Sequence, residues 1–229
     1  MNITCIIPAR MESSRFPGKP LKKILGRELV LRCCDTAKQS SIIDNIIVAT
    51  ENDEIEQVVT AEGYNVIRTP SFPSCTHRVG YVAQQIDCDY IINLQGDEPC
   101  VTAKMLDDMI KFTVDNKHQM TQAVYDLDYT DISDQNIVKA VINNNSVIGL
   151  SRIPEVISSN LKGIAGVYVY DHSTIANFHT LDMRLVEAWK GLDTFGFIGA
   201  VPVVPFEFPH RTHAVDVPSD ISTVESKLL

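Results

Sequence analysis

Three cations, Arg10, Arg15 and Lys19, fall within ten residues in the segment Pro8-Ala9-Arg10-Met11-Glu12-Ser13-Ser14-Arg15-Phe16-Pro17-Gly18-Lys19-Pro20. Guanidinium groups grip phosphate oxygens in bidentate pairs and a lysine adds a point charge, so this trio suits a polyphosphate. A solvated basic loop is the bland alternative. Position favours the first reading: β-branched Ile3–Ile7 reads as a buried strand, and ligands of α/β sheets bind at the carboxyl ends of strands. Neither G-x-G-x-x-G nor G-x-x-x-x-G-K-[ST] occurs, so side chains must do most of the phosphate binding.

A second candidate is Gln95-Gly96-Asp97-Glu98-Pro99, directly after the apolar run Tyr90–Leu94. A carboxylate just past a buried strand, beside a glycine that permits close backbone approach, can hold Mg²⁺ against phosphate oxygens. A turn or helix cap is its ordinary alternative. Asp216, after His213-Ala214-Val215, sits at another apparent strand end and would supply a second carboxylate. The six histidines lack zinc-site spacing, and the six cysteines include no C-x-x-C pair, so the thiols read as core fillers. His77 is the histidine placed to meet a phosphate, and Trp189 reads as a packing residue.

The elements that must position these residues follow from periodicity. Strand-like runs at Ile3–Ile7, Asn45–Ala49, Val66–Ile67 and Tyr90–Leu94 alternate with helical patterns at Glu28–Gln39, Asp53–Gly63, Val79–Ile86 and Ala103–Asn116. Such βαβ repetition predicts a mainly parallel sheet covered by helices on both faces. After about Met120 the pattern changes. Val138–Ile142 and Val147–Leu150 flank Asn143-Asn144-Asn145-Ser146 as a hairpin, further strands are expected at Ala165–Tyr170 and Val201–Pro205, a polar helix near Leu181–Lys190, and a closing helix over Pro218–Leu229. We read one domain over 1–229: a core carrying the polyphosphate loop to about 120, an antiparallel insertion over about 121–210 of the kind that grips a second substrate or a second subunit, and a return to the core over 211–229.

The 229 residues carry 20 Lys+Arg against 29 Asp+Glu, a formal net charge of −9. That disfavours nucleic-acid and anionic-membrane partners. The charge is uneven: Met1–Arg27 holds six basic residues and one acid, +5, leaving −14 for the rest. No signal-peptide pattern or membrane-length apolar run occurs, so a cytoplasmic protein with reduced thiols is expected.

Pro8-Ala9-Arg10-x-x-Ser13-Ser14-Arg15-x-Pro17-Gly18-Lys19-Pro20-Leu21, Ile47-Val48-Ala49-Thr50, Gln95-Gly96-Asp97-Glu98-Pro99, Val138-Lys139, Ser151-Arg152-x-Pro154 and Val215-Asp216 occur in this order. The arrangement resembles the 3-deoxy-manno-octulosonate cytidylyltransferases (CMP-Kdo synthetases), most strongly to about residue 100. The first motif is shared with the wider CMP-sugar synthetase group, whereas the Gln-Gly-Asp-Glu-Pro motif is particular to the Kdo branch. The resemblance implies a Rossmann-like α/β fold of the nucleotide-diphospho-sugar transferase type. It also implies a Mg²⁺-dependent reaction of CTP with an acidic sugar, giving a CMP-sugar for lipopolysaccharide biosynthesis plus pyrophosphate, and a homodimer formed through the insertion. Carried over by position, Arg10, Ser14, Arg15 and Lys19 would meet the triphosphate, and Pro8, Ala9, Ser74, Thr76 and Arg78 the rest of the nucleotide. Arg10, Lys19 and Asp97 would carry catalysis, Gln95, Arg152 and Glu187 would line the acceptor pocket, and Asp97 with Asp216 would hold Mg²⁺.

The departures fall on the base and the acceptor. The family's Ser-Gly-Thr-Glu/Asp-Arg is Ser74-Cys75-Thr76-His77-Arg78 here, its His before Gly-x-Tyr is Ile164 ahead of Gly166-Val167-Tyr168, and Leu-Glu-Gln-Leu-Arg best matches Val186-Glu187-Ala188-Trp189-Lys190. A pocket built to hydrogen-bond particular hydroxyls discriminates strongly. The expected acceptor is Kdo or a related ulosonic acid, and the departures therefore raise as the alternative a non-Kdo acceptor such as a phosphonate. A noncatalytic nucleotide-binding regulator is the reading from a different class.

Overall fold

The computed structural model describes residues 1–153, 160–181, 184, 186 and 192–229. The polar helix expected near Leu181–Lys190 falls mostly outside these residues, as do Pro154, Glu187 and Trp189. At the centre is β1 (Ile3–Pro8), buried at every position. It pairs in parallel with β4 (Asn45–Thr50) on one side and β6 (Tyr90–Leu94) on the other, and β4 pairs in parallel with β5 (Asn65–Arg68). Side chains alternate along these strands. Ile3, Cys5 and Ile7 face a core shared with Ile92 and Leu94, whereas Ile6 faces a second core with Ile91.

Amphipathic helices close both faces. Helices α1 (Leu29–Lys38), α2 (Asp53–Ala61) and α4 (Ala103–Asp115) bring Val30, Ile55 and Met109 to the first core. Helix α3 (Cys75–Ala83) brings Val79 and Val82 to the second. Burial on both sides is what makes the parallel strands read as continuous apolar runs.

Beyond residue 116 the chain stays in the same sheet. Strand β7 (Met120–Tyr125) and β10 (Leu161–Asp171) pair antiparallel, β10 pairs antiparallel with β6, and β11 (Val203–Glu207) runs parallel to β7. Among the described residues the main path is β11-β7-β10-β6-β1-β4-β5. The stretch read as an antiparallel insertion thus contributes three strands to the main path of the central sheet. The hairpin β8 (Lys139–Asn143) and β9 (Ser146–Ser151) belongs to the same sheet but lies off that path, pairing with the start of β10. Its turn places Asn144 and Asn145 at φ 47° and 57°, the left-handed pair that a tight hairpin demands and asparagine tolerates. Strand β7 escapes a periodicity reading because Thr121 and Gln122, both fully buried, interrupt its apolar run.

A third, small core positions the basic loop. Phe16 on that loop packs with Ile24, on the short hairpin β2 (Lys23–Ile24) and β3 (Arg27–Glu28), and with Leu29, Val215 and Val224, the last from the C-terminal helix α6 (Asp220–Leu228). Burying Phe16 contributes on the order of 1.5–3 kcal/mol, and it fixes Arg15 beside the segment that carries Asp216. No helix among the described residues is long and apolar enough to cross a membrane.

Candidate active site

A cleft of about 1010 Å³ opens where β1 and β6 end. The basic loop forms one wall. It is closed by the Gly18 amide donating to the Met11 carbonyl at 2.9 Å, with Gly18 at φ 72°, and anchored by the Met11 amide donating to Asn52 Oδ1 at 2.9 Å. Arg10, Ser14, Arg15 and Lys19 all line the cleft, together with Pro8 and Ala9 at the end of β1.

The two carboxylates, far apart in sequence, converge on that wall. Lys19 Nζ lies 2.6 Å from Asp97 Oδ2 and 3.8 Å from Asp216 Oδ1, and Arg15 Nη2 donates to Asp216 Oδ1 at 2.9 Å. The Val215 amide donates to the Asp97 carbonyl at 2.9 Å, joining the two carboxylate-bearing turns. Gly96 makes the approach possible, since a Cβ there would stand 3.1 Å from the Pro8 carbonyl oxygen. Burial alone would lower the Lys19 ammonium, but Asp97, with Asp216, holds it above its ordinary value. Burial and then Asp97 raise the Asp216 carboxyl, with Lys19 and Arg15 opposing.

Beneath this cluster Glu98 is buried and accepts from the Gly166 amide at 2.6 Å, while the Gln95 amide donates to the Gly166 carbonyl at 2.9 Å. Burial, then the neighbouring Asp97, pushes Glu98 up to about 7. Gly166 therefore fastens the Gln95–Glu98 turn to β10. A Cβ there would meet Glu98 Oε1 at 2.9 Å and Gln95 Cβ at 3.1 Å. Gly166→Ala is expected to destabilise the fold by about 1–3 kcal/mol and to lower turnover by displacing Asp97. Thermal unfolding with a parallel activity assay checks this, and unchanged values of both would contradict it.

The second wall is the start of α3. Ser74 is its N-cap, accepting from the His77 amide, and Ser74, Cys75 and His77 line the cleft. His77 also has its Nδ1 2.8 Å from Ser74 Oγ and its ring edge-on to Phe178. Two residues expected at the nucleotide lie behind this wall instead. Thr76 is buried, and its amide donates to Asp193 Oδ2 at 3.1 Å. Arg78, 1% exposed, pairs with Glu51 at 2.6 Å and donates to Thr69 Oγ1 and the Ala9 carbonyl. It supports the end of β1 from below, where loss of one partner of a buried ion pair costs about 3–5 kcal/mol.

The acceptor candidates divide. Gln95 and Arg152 line the cleft, whereas Glu187 lies outside the described residues. Arg152 Nη1 donates to the carbonyls of Asn136 at 2.9 Å and Gln135 at 3.3 Å. Burial and nearby Arg15 lower its guanidinium, with Asp216 opposing, so Arg152 stands close to the carboxylate cluster. Ile164 and Tyr168 line the same cleft. So do Tyr125, Asp193 and Arg211, which sequence reasoning missed because each is a lone residue outside any motif.

Among the described residues no group of three or more His, Cys, Asp or Glu side chains is placed to hold a metal. The pair Asp97 and Asp216 nonetheless fits Mg²⁺, which characteristically takes one or two carboxylates and completes its shell with phosphate oxygens and water. A cation already sits between them in the form of the Lys19 ammonium.

With this geometry, the comparisons with known proteins agree. Residues 4–191 match the family model described as Cytidylyltransferase. The 3-deoxy-manno-octulosonate cytidylyltransferase of Bdellovibrio bacteriovorus is 30% identical over 244 residues, covering 100% of this chain and 98% of that protein. The 8-amino-3,8-dideoxy-manno-octulosonate cytidylyltransferase of Shewanella woodyi is 31% identical, covering 100% and 99%. A solved CMP:2-keto-3-deoxy-manno-octonic acid synthetase complexed with CTP aligns with a TM-score of 0.89 at 26% identity, covering 100% of this chain and 98% of that one. The family-model match, the sequence match over the whole chain and the shared fold lead to one assignment: this chain is a nucleotidyltransferase and belongs to the cytidylyltransferase family, in the group of the 3-deoxy-manno-octulosonate and 8-amino-3,8-dideoxy-manno-octulosonate enzymes.

Proposed function

We propose that the protein transfers CMP from CTP to the anomeric hydroxyl of an acidic sugar of the ulosonic type, releasing pyrophosphate. The observation that carries this reading is the convergence of Asp97 and Asp216 on Lys19 in front of the basic loop. The sugar hydroxyl attacks the α-phosphorus in line, a new P–O bond to the sugar forms, and the bond to the β-phosphate oxygen breaks. Such transfer depends mainly on positioning and charge stabilisation.

Each wall has a part in that task. Arg10, Arg15 and Lys19 neutralise the triphosphate, and the charge released onto pyrophosphate falls among them. Asp97 and Asp216 would hold Mg²⁺, which when bound draws charge from the phosphate oxygens. Pro8, Ala9 and Ser74 shape the base pocket, with Arg78 and Thr76 bracing it from behind. Gln95 and Arg152 orient the acceptor. Ile164 offers no hydrogen bond, which supports an acceptor that differs from ordinary Kdo at the group facing it. The half-exposed Ile148 on β9 and nearby Ile153 support a homodimer through the hairpin side.

Calorimetric titration with CTP, UTP, GTP and ATP in the presence of Mg²⁺ tests the nucleotide assignment. CTP is expected to bind tightest, and chelation of the metal with EDTA to abolish turnover. Equal or tighter binding of another nucleotide would overturn the base assignment, and turnover that survives chelation would overturn the metal assignment.

A further inference from the structure

Arg211 is the guanidinium in the cleft that neither the phosphate reading nor the family resemblance uses. It lies on the chain between β11 and Asp216 and lines the cleft together with Tyr125 and Ile164. Its Nη1 pairs with Asp131 Oδ1, and the Asp131 side chain is only 4% exposed while that of Arg211 is 35% exposed. Asp131 is itself fixed, because it belongs to the capping box with Asp128 at the start of α5 (Tyr129–Ser133). The arrangement is a charged side chain that faces the cleft, held in place by a rigid, desolvated counter-ion.

Stability alone gives little reason for such a pair, since burying a carboxylate costs free energy that its partner roughly offsets, and apolar replacements are often no worse. A pre-oriented guanidinium at the mouth of a binding cleft does have a use, because its planar fork matches a carboxylate and little side-chain freedom remains to be lost on binding. The location fits as well. Tyr125 feels the charges of Arg211, Asp131, Glu98 and Asp134, and its ring lies against Gly163, where a Cβ would come within 2.3 Å. Arg211 and Ile164 line the same cleft, so Arg211 offers a charged contact in a cleft where the Ile164 side chain offers no polar one.

We propose that Arg211, oriented by Asp131, is a specificity-determining residue that binds the carboxylate of the acceptor sugar. This rests on the cytidylyltransferase reading above, and it makes an anionic acceptor a requirement of this chain's own pocket.

The test uses the full-length protein with 3-deoxy-manno-octulosonate and its 8-amino analogue as probes, following pyrophosphate release. Arg211→Gln alone strands a buried carboxylate and can fail to fold, so the principal variant is Arg211→Gln combined with Asp131→Asn. With whichever sugar the wild type uses, the double variant is expected to raise KM for the sugar tenfold or more. CTP affinity by calorimetry should stay within about twofold and kcat within about threefold. Arg211→Lys, which keeps the charge but loses the fork, is expected to lie between. An unchanged sugar KM in a folded double variant overturns the role of Arg211 and leaves the enzyme assignment standing. A wild type that releases no pyrophosphate with either sugar overturns the acceptor assignment, and the role of Arg211 with it.

Discussion

Asp97→Ala is expected to lower kcat by a hundredfold or more while the protein remains folded and still binds CTP. A hundredfold corresponds to about 2.7 kcal/mol of transition-state stabilisation, a modest figure for a carboxylate that positions a catalytic metal. The fold should survive because Lys19, left without its 2.6 Å partner, retains Asp216 at 3.8 Å as a counter-ion. Asp97→Asn, isosteric but uncharged, should lose nearly as much, which separates lost charge from lost packing. Steady-state kinetics with a thermal unfolding curve decides the matter. Turnover near the wild-type rate in either variant would remove Asp97 from the metal site.

Lys19→Ala should produce two opposite changes in binding. In the structure the ammonium occupies the space between the two carboxylates, so a triphosphate must draw Lys19 away before a divalent ion can take its place. Removing the side chain deletes a charge-assisted phosphate contact of about 1.5–3 kcal/mol, predicting CTP·Mg²⁺ binding weaker by tenfold to a hundredfold. The same change clears a competing cation from Asp97 and Asp216, so Mn²⁺ titrated without nucleotide and followed by electron paramagnetic resonance should bind more tightly than to the wild type. Unchanged CTP affinity would defeat the phosphate role, and Mn²⁺ binding no tighter than wild type would defeat the competition.

The alternation from β1 to α4 was legible because strands buried on both faces and helices buried on one leave distinct apolar periods. Legibility fell where polar residues are buried. Thr121 and Gln122 concealed β7, and with β7 hidden β10 and β11 read as parts of an insertion although both lie on the main path of the central sheet. The hairpin turn was plain because Asn144 and Asn145 suit a backbone that most residues avoid.

The site shows the same division. Arg10, Arg15, Lys19 and Asp97 lie in compact motifs at strand ends, and all four line one cleft, where Lys19 pairs with Asp97. Thr76 and Arg78 share a motif with Ser74, yet both are buried, the Thr76 amide tied to Asp193 and the Arg78 guanidinium drawn inward to Glu51, Thr69 and the Ala9 carbonyl. Once α3 starts at Cys75, Thr76, Val79, Gly80 and Ala83 fall on its buried side, and Ser74, Cys75 and His77 are left at the cleft. Asp193 and Arg211 depend on partners 117 and 80 residues away, a relation that periodicity cannot reveal.

The most direct test is phosphorus NMR of the wild-type protein incubated with CTP, Mg²⁺ and either 3-deoxy-manno-octulosonate or its 8-amino analogue. Loss of the CTP resonances is expected, with the appearance in equal amounts of one phosphodiester signal and pyrophosphate. Persistence of CTP with both sugars, or release of orthophosphate without a phosphodiester, would contradict the transfer of CMP to an acidic sugar.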